Sequence, residues 1–377
     1  MTRLKPIVPW LALFMLVWPW DLLAIDARLL PEGVTRIRLY QSWSWAEDAY
    51  DASGHRQPLG QMGLDKLAAK GVAPAAPNLY AIQNDARYTL QRTDLTVDYG
   101  WNTHLDLGIW IPILDANLTQ SAVLNRAAGW DGLPTAQKSA LTVAVSQLDN
   151  TDANHHALGD ILLGIKGQLV GDQKSPHRFS LGGGVRLPTG HVANPLDPRD
   201  TSTGDGQWDL TLWSWYDHPV NDNFFINLHT RHEYGLPGSR SALLPTDATR
   251  SGRMEFQPGL HHDVQLEPQW RYPLGHVELM PSVFLIYSRE EKGKQQGFDR
   301  NQAAFAGGLY TVEGTDWQRL LLKPTLGLGL IPMGVPVNLY LALGTTLWGR
   351  NTPEASVVEL RMDFFFQGPG HRKGTNP

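Results

Sequence analysis

The sequence contains no cysteine. This absence excludes a disulfide framework, thiolate metal ligands, a cysteine nucleophile and anchoring through a lipidated cysteine. A surplus of positive charge is also lacking, since the 377 residues carry a formal net charge of −5 with a pI near 6.2. No basic patch or basic tail occurs, and nucleic acid is therefore not expected as a partner.

Catalytic and metal-binding motifs are missing as well. The sequence has no H-E-x-x-H, no G-x-S-x-G and no phosphate-binding glycine loop. Its histidine pairs do not suit chelation, because His229 and His232 would lie on opposite faces of a strand, as would the adjacent His261 and His262. We therefore expect no catalytic residue, no metal ligand and no cofactor.

A long apolar run occurs only at the N-terminus. Arg3 and Lys5 precede the apolar segment Ile7–Trp18, and Leu22-Leu23-Ala24 supplies a cleavage point, with a second one at Ala27. This is the architecture of a secretory signal peptide over residues 1–24. The alternative is an N-terminal membrane anchor, but the run is shorter than the roughly 20 residues that a spanning helix needs. The exported chain is then either soluble or inserted in a membrane as a barrel.

Glycine and aromatic residues are abundant, with 37 glycines, 14 tryptophans and 11 tyrosines. Much of the chain alternates apolar with polar residues, and in a strand such alternation gives one apolar and one polar face. The segments predicted as strands are Val34–Trp45, Arg87–Tyr99, His104–Leu114, Gly159–Val170, Arg178–Pro188, two strands between Gly206 and Tyr234, Arg253–Leu266, Gly275–Tyr287, Gln318–Leu330, Val337–Leu347 and Val357–Phe366.

About twelve strands result, most of them near the ~9–11 residues that cross a bilayer as a tilted strand. Long connections near residues 46–86, 115–157, 189–206, 235–252 and 288–302 alternate with short turns, as in outer-membrane barrels. We therefore predict an all-β fold, one antiparallel up-and-down transmembrane β-barrel over residues 25–377. It would lie in the outer membrane of a Gram-negative bacterium, with both termini on the periplasmic side and a polar tail over residues 367–377.

Four segments have ambiguous patterns. Gln61–Lys70 predicts a short helix, either on the surface of a loop or folded into the barrel lumen as a plug. Ser139–Leu148 is compatible with an extra strand inside a loop. Ala303–Val312 is either a small hairpin element of a loop or an extension of the sheet. Arg253–Leu266 is the least regular strand, because Pro258 and two adjacent histidines interrupt its alternation.

A soluble β-sandwich would also alternate, but two features favour the membrane barrel. Charged residues lie in the middle of strands on the polar face, where a wet lumen would let them pair with one another. Aromatic residues cluster near strand ends, as they do in the girdles at membrane–water boundaries. The side chains predicted to line the lumen are Arg186, Asp209, Arg231, Glu233, Lys323, Glu359, Arg361 and Asp363. The predicted girdle residues are Trp43, Trp45, Trp101, Trp208, Tyr216, Tyr234, Tyr287, Trp317 and Trp348.

One motif resembles a known family. GGGVRLPTGH, followed by a polar loop and GDGQWDLTLWSWYDHPV, resembles the outer-membrane transporters named for the MetA pathway of phenol degradation, and a related bacterial outer-membrane family of unknown function. The matching residues are Leu187, Pro188, Thr189, Gly190, Gly204, Gly206, Asp209 and Leu210. The resemblance implies a barrel that passes small organic molecules, aromatic ones among them. For Asp209 we expect an ion pair with Arg186 rather than contact with a solute.

These observations predict a channel or transporter for small solutes, aromatic or hydrophobic ones included. Its partners would be outer-membrane lipid, the solute and the barrel-assembly machinery. Two alternatives stay open. One is a lipid hydrolase, which would need His229 or His232 beside a serine such as Ser239 or Ser241. The other is a non-conducting structural barrel whose lumen is filled by side chains or by Gln61–Lys70.

Overall fold

Twelve antiparallel strands close into a β-barrel in the computed structural model, as the alternation predicts. The structure describes residues 27–69, 73–148, 153–171, 175, 177–197, 200–244 and 247–367. The predicted signal peptide and the tail beyond Gln367 lie outside these residues. The barrel strands are β1 (Val34–Ala46), β2 (Tyr80–Asn102), β3 (Leu105–Arg126), β4 (Ile161–Val170), β5 (Arg178–Leu187), β6 (Asp209–Asn221), β7 (Phe224–Gly235), β8 (His261–Trp270), β9 (Val277–Glu290), β10 (Trp317–Gly329), β11 (Val337–Arg350) and β12 (Ser356–Gln367).

Each barrel strand pairs with the next strand in the chain, and β12 returns to pair with β1. This closing register runs from Val34 opposite Gln367 to Trp45 opposite Ser356. Closure leaves no unpaired strand edge, so the backbone hydrogen bonds are satisfied within the barrel even in hydrocarbon. The connectivity is therefore the predicted up-and-down order.

The two faces of the barrel differ in polarity. On the outer face, large apolar side chains are exposed, as with Leu212 at 55% and Leu343 at 56%. On the inner face, charged side chains are buried, as with Arg186 and Lys323 at 1% each. Apolar side chains exposed around a closed barrel match a hydrocarbon surrounding, so the barrel is built to span a membrane.

Short turns lie at one rim of the barrel and most long connections lie at the other. The turn rim carries the connections 103–104, 171–177, 222–223, 271–276 and 330–336, together with the first residue of β1 and the last of β12. The loop rim carries the connections 47–79, 127–160, 188–208, 236–260 and 291–316, and the short connection 351–355. The start of β1 and the end of β12 therefore lie on the same side of the membrane, as an even number of strands requires.

The hairpin of β2 and β3 is longer than predicted, with strands of 23 and 22 residues. Residues 80–86 and 115–126 belong to these strands, so the predicted loops 46–86 and 115–157 were drawn too long. The alternation of apolar and polar residues is lost here because the outer face of this extension is polar, with exposed Gln83, Asp85 and Arg87. A strand that projects beyond the membrane meets water on that face and loses its apolar signal.

Within the described residues the loops contain two helices, α1 (Leu59–Ala69) and α2 (Thr135–Leu148). The helix expected within Gln61–Lys70 is thus present, although Lys70 lies outside the described residues. The extra strand expected over Ser139–Leu148 was wrong: Leu141 and Val145, one helical turn apart, pack on Tyr80 and Trp130. None of the helices in the described part of the chain is long and apolar enough to cross a membrane.

Four strands of the loops form a separate sheet at the loop rim, in the order Gly238–Leu244, Asp247–Gln257, Lys294–Asp299 and Ala304–Thr311. The predicted strand Arg253–Leu266 was therefore wrong as one element, because Pro258 separates a loop strand from β8. Ala303–Val312 belongs to this sheet, so of its two predicted alternatives the hairpin element of a loop is present. The other strands of the sheet lie in or next to the predicted loops 235–252 and 288–302. The remaining short elements are strands Asp48–Tyr50, Arg56–Pro58, Ala75–Ala76, Ala153–Leu158, Tyr272–Leu274 and Thr352–Pro353, and 3₁₀ turns Trp130–Gly132 and Ile331–Met333.

Most predicted girdle residues lie on the outer face. Trp101, near the end of β2, is 58% exposed, and Trp208, directly before β6, is 50% exposed. Trp317 was assigned wrongly, because it is 5% exposed and its indole Nε1 donates to Glu290 Oε2 at 2.9 Å. An aromatic residue near a strand end thus turns inward when a buried carboxylate can accept its N–H.

Candidate functional site

The inner face of the barrel carries all eight side chains predicted to line the lumen. Each of them is at most 6% exposed, and they form three groups at different heights. The groups are Arg186, Asp209, Arg231 and Glu233 near the loop rim, Lys323 and Glu359 in the middle, and Arg361 and Asp363 toward the turn rim.

The group near the loop rim belongs to a chain of ion pairs across four strands, β5 to β8. Arg186 on β5 donates Nη2 to Glu233 Oε2 at 2.5 Å, and its Nε lies 3.4 Å from Asp209 Oδ2. Arg231 lies 3.5 Å from the same Glu233 oxygen and 3.4 Å from Asp263 Oδ2. The expected pairing of Asp209 with Arg186 is thus present in the structure.

The two lower groups pair in the same manner. Lys323 Nζ donates to Glu359 Oε2 at 2.8 Å and lies 4.9 Å from the centre of the Phe284 ring. Farther down, Asp363 accepts from Arg38 Nε at 3.0 Å and lies 3.4 Å from Arg361 Nε. A buried charge is tolerated when it is paired and hydrogen-bonded, which explains why the lumen can hold these charged side chains.

Several inward charges escaped the sequence analysis. Arg92 and Asp94 on β2 are fully buried and lie 2.8 Å apart, and Arg36 lies 2.6 Å from Asp98. Their signal was present, because Arg92, Asp94 and Asp98 share one parity in the segment RTDLTVD. The outward residues of this segment include Leu95 and Val97, so the inner face could have been read from β2 as well.

An apolar cluster crosses the lumen above the charged middle. It joins Leu90 of β2 and Leu114 of β3 with Phe284 of β9 and Leu321 of β10. Strands β3 and β9 are six positions apart in either direction around the barrel. Leu59 of α1 belongs to the same cluster, and Met62 packs against it. Helix α1 therefore covers this layer from the loop rim.

A chain segment preceding β1, which we call the strap (residues 27–31), lies inside the barrel. Its backbone is held by side chains of four neighbouring strands. The Ala27 N–H donates to Asp217 Oδ1 at 2.8 Å, and the Leu30 N–H donates to the Asp106 carboxylate at 3.0 Å. Lys166 Nζ donates to the Arg28 carbonyl at 2.9 Å, and Ser180 Oγ donates to the Ala27 carbonyl at 2.5 Å.

These four contacts come from β3, β4, β5 and β6, so the strap is fastened to one side of the wall. Beside it lies a cavity of about 460 Å³, which we call the vestibule. It is lined by the strap and by residues of β1, β7, β8, β9, β11 and β12. Ile331 and Pro332 of the turn rim also line it, and Ile331 is 51% exposed, so the vestibule reaches that rim.

The family motif holds the connection between β5 and β6. Thr189 Oγ1 donates to the Gly159 carbonyl at 2.9 Å, and the Gly190 N–H donates to Asp160 Oδ1 at 2.7 Å. A Cβ on Gly190 would stand 2.7 Å from the Cα of Gly204, so these two glycines must lack side chains to pass each other. Gly206 has a φ of +76°, which favours glycine. These motif residues position the loop.

Two carboxyl groups, that of the buried Asp160 and that of the half-buried Asp205, lie where this loop meets the barrel. Burial raises the pKa of Asp205 to about 7, with the charge of Asp160 adding to the effect. Burial likewise raises the pKa of Asp160, against hydrogen bonds donated by Gly190 and Asp205. The Asp205 carboxyl is therefore a group of the loop rim that titrates near neutral pH.

The histidines considered for a hydrolase have other contacts. His229 lies on the inner face and stacks on Trp215, with ring centres 5.2 Å apart. His232 lies on the outer face and its Nδ1 is 2.8 Å from Nδ1 of His262 on the next strand. Ser239 Oγ accepts from Arg253 Nε at 2.9 Å rather than from a histidine. Among the residues that the structure describes, no group of three or more His, Cys, Asp and Glu side chains could hold a metal ion.

Comparison with solved structures identifies similar barrels. The chain is similar to the COG4313 outer membrane channel from Pseudomonas putida F1, with a TM-score of 0.58 and 14% identity over 90% of this chain and 98% of that one. At this identity the likeness shows the fold. Lower similarity is found to the β domain of the Bordetella autotransporter BrkA, with a TM-score of 0.44 and 9% identity over 89% of this chain and 100% of that one.

The CymD monoaromatic hydrocarbon channel has a TM-score of 0.36 and 11% identity, over 90% of each chain. No family model matches the chain. No curated protein matches it either. The barrel that the motif resemblance implied is thus present, and its fold is that of an outer membrane channel of known structure.

Proposed function

We propose that this protein is an outer-membrane channel for small solutes, exported by its N-terminal signal peptide and inserted by the barrel-assembly machinery. The observation that carries the proposal is the vestibule beside the strap. A barrel with a purely structural role would be expected to fill its interior with side chains. This barrel instead contains a cavity of about 460 Å³ that reaches the turn rim.

The strap suggests how such a channel would be closed. Its backbone is held by hydrogen bonds with Asp106, Lys166, Ser180 and Asp217. Ala27 packs with the lumen tryptophans, and Leu29 and Leu30 are also buried. Three of these four hydrogen bonds involve a charged side chain and contribute about 1.5–3 kcal/mol net each, because water replaces them when they break. The strap takes no part in the pairing of the barrel strands, so it could leave the lumen without opening the barrel.

The apolar cluster that crosses the lumen favours solutes with an apolar part. Leu90, Leu114, Phe284 and Leu321 would repel water from the path and would interact with a hydrocarbon or an aromatic ring. This agrees with the small, aromatic or hydrophobic solutes that the motif resemblance implies. Polar groups above and below the cluster would orient the solute.

The test is conductance of the folded full-length protein in planar bilayers, with and without strap contacts. In the double variant Asp106→Ala and Asp217→Ala, the strap loses the acceptors of two backbone N–H groups. We expect stable unitary steps, larger in the double variant than in the unchanged protein. Asp115→Ala is the matched control, because Asp115 lies on the outer face of the same strand as Asp106.

Two results would contradict this proposal or the role of the strap in it. If each protein is folded, as judged by heat-modifiable migration in electrophoresis, and none conducts or admits solutes into liposomes, the channel proposal is wrong. The non-conducting structural barrel would then be the better description. A rise in conductance in Asp115→Ala as large as in the double variant would show that the strap is not the closing element.

A further inference from the structure

The vestibule has an uneven charge. Five guanidinium groups line it, those of Arg28, Arg36, Arg38, Arg271 and Arg361. Only two carboxylates line it, those of Asp363 and Glu278. Asp98, which binds Arg36 at 2.6 Å from outside the lining, is a third. The lining itself therefore carries more positive than negative side chains.

These guanidinium groups are held by the fold rather than free to leave. Arg38 Nε donates to Asp363, and Arg361 lies 3.7 Å above the centre of the Tyr340 ring. Arg271 donates both Nε and Nη2 to Gln269 Oε1 at 3.1 Å, and it lies 5.0 Å from the centre of the Phe225 ring. Such fixed donors around a cavity of low dielectric constant attract an anion more strongly than mobile surface residues do.

Part of the remaining lining is apolar. Met280 and Phe365 from the wall, Leu30 from the strap and Ile331 from the turn rim face the same space. A cavity with fixed guanidinium groups on one part and hydrocarbon on another suits a ligand with an anionic head and an apolar body. A carboxylate matches the planar guanidinium fork through two parallel hydrogen bonds.

We propose that the vestibule is a binding site for small organic carboxylates with an apolar body, such as an aromatic acid. The proposal rests on the channel function proposed above and names its class of solute. The carboxylate lies among Arg36, Arg271 and Arg361, and the ring or alkyl part lies against Met280 and Phe365. The excess of positive charge in the lining draws such an anion into the vestibule from the turn rim, and the apolar lining retains it.

The test is binding of benzoate to the full-length protein folded in detergent, measured by titration calorimetry at low salt. Benzamide has the same shape without the charge, and inorganic phosphate has the charge without the apolar body. We expect benzoate to bind at least about tenfold more tightly than benzamide and than phosphate. We also expect the benzoate affinity to fall as salt is raised, because ions screen the attraction.

Two variants at the edge of the vestibule change its charge in opposite directions. Arg271→Gln removes a donor from a turn residue outside the barrel strands, and we expect benzoate to bind at least about fivefold more weakly. Glu278→Gln removes a negative charge of the lining, and we expect tighter binding. Arg289→Gln is the matched control, since the Arg289 side chain is 49% exposed and lies outside the lining.

Three results would overturn the proposal: no benzoate binding, equal affinity for benzoate and benzamide, or phosphate bound as tightly as benzoate. An equal effect of Arg271→Gln and Arg289→Gln would also contradict it, because the vestibule would then have no special part. Failure of this proposal is distinguishable from failure of the channel. Binding in detergent does not require conduction, and conduction in bilayers does not require benzoate.

Discussion

Gly182 of β5 lies directly against the indole of Trp215 of β6 inside the lumen. A Cβ on this glycine would stand 2.8 Å from Trp215 Cζ3 and 2.7 Å from the Ile165 carbonyl oxygen. Gly183, the next residue, faces outward, where its Cβ would have the Thr211 carbonyl oxygen at 3.7 Å as nearest atom. Two adjacent glycines of one strand therefore have different reasons to be present.

This difference predicts opposite outcomes for two identical substitutions. Gly182→Ala should lower the free energy of unfolding by about 1–3 kcal/mol, because the indole or the neighbouring strand must shift. Gly183→Ala should leave it unchanged or raise it slightly, because alanine costs less entropy in a strand than glycine does. Urea unfolding in lipid vesicles, followed by tryptophan fluorescence, measures both. Equal losses in the two variants would contradict the packing of Trp215 on Gly182.

The Lys323–Glu359 pair predicts a stability that depends on both partners. Lys323→Met leaves the Glu359 carboxylate buried without its nearest cation, and we expect a loss of about 3 kcal/mol in the free energy of unfolding. The double variant Lys323→Met and Glu359→Gln should recover most of this loss, because neither charge of the pair remains. The same vesicle unfolding assay gives the four values of the double-mutant cycle. Losses that simply add would show that the two side chains do not interact.

Asp205 predicts a pH dependence of the loop rim. In the unfolded chain this carboxyl has its ordinary pKa of 3.8, whereas burial in the folded protein raises the pKa to about 7. As pH rises from about 4 to about 7, the unfolded state gains the favourable charge first, so stability falls, and above pH 7 the loss is complete. We expect the melting temperature to fall less with rising pH in Asp205→Asn than in the unchanged protein.

The measurement is the melting temperature of the detergent-folded protein at several pH values between 4.5 and 8.5. The side-chain oxygen of the introduced asparagine could still accept the Gln207 N–H that Asp205 Oδ1 accepts at 2.8 Å. Asp131→Asn is the control, because Asp131 lies exposed in another loop. An unchanged pH profile in the Asp205 variant would mean that another group causes the fall.

Much of the barrel could be predicted because period-two alternation reports directly on a face. On β10, Leu322 and Leu326 are outward while Arg319 and Lys323 are inward, as the pattern indicates. The alternation failed as a guide where the outer face of a strand meets water, or where the segment forms a helix. The extended ends of β2 and β3 meet water on the outer face, and Ser139–Leu148 reads as alternating although its helix packs Leu141 and Val145 on one side.

The candidate site was only partly visible in the sequence for a similar reason. Parity identifies an inward charge such as Lys323, but it does not tell which carboxylate lies across the lumen. The strap could not be foreseen, because residues 27–31 carry no periodic pattern and their position depends on backbone hydrogen bonds to four distant strands. The meeting of His232 with His262 likewise depends on the register between β7 and β8.

By itself, the sequence determined the class of this protein: the alternation, the inward charges and the long and short connections specify a barrel with an apolar outside and a charged inside. The tertiary structure alone decided which charges pair, where the strap lies, and that a cavity with excess positive charge remains beside it. The physical reason is that the face of a strand on which a side chain lies depends on its neighbours along the chain. Pairing and empty space depend on closure, which brings residues such as Arg38 and Asp363, 325 positions apart, within 3.0 Å.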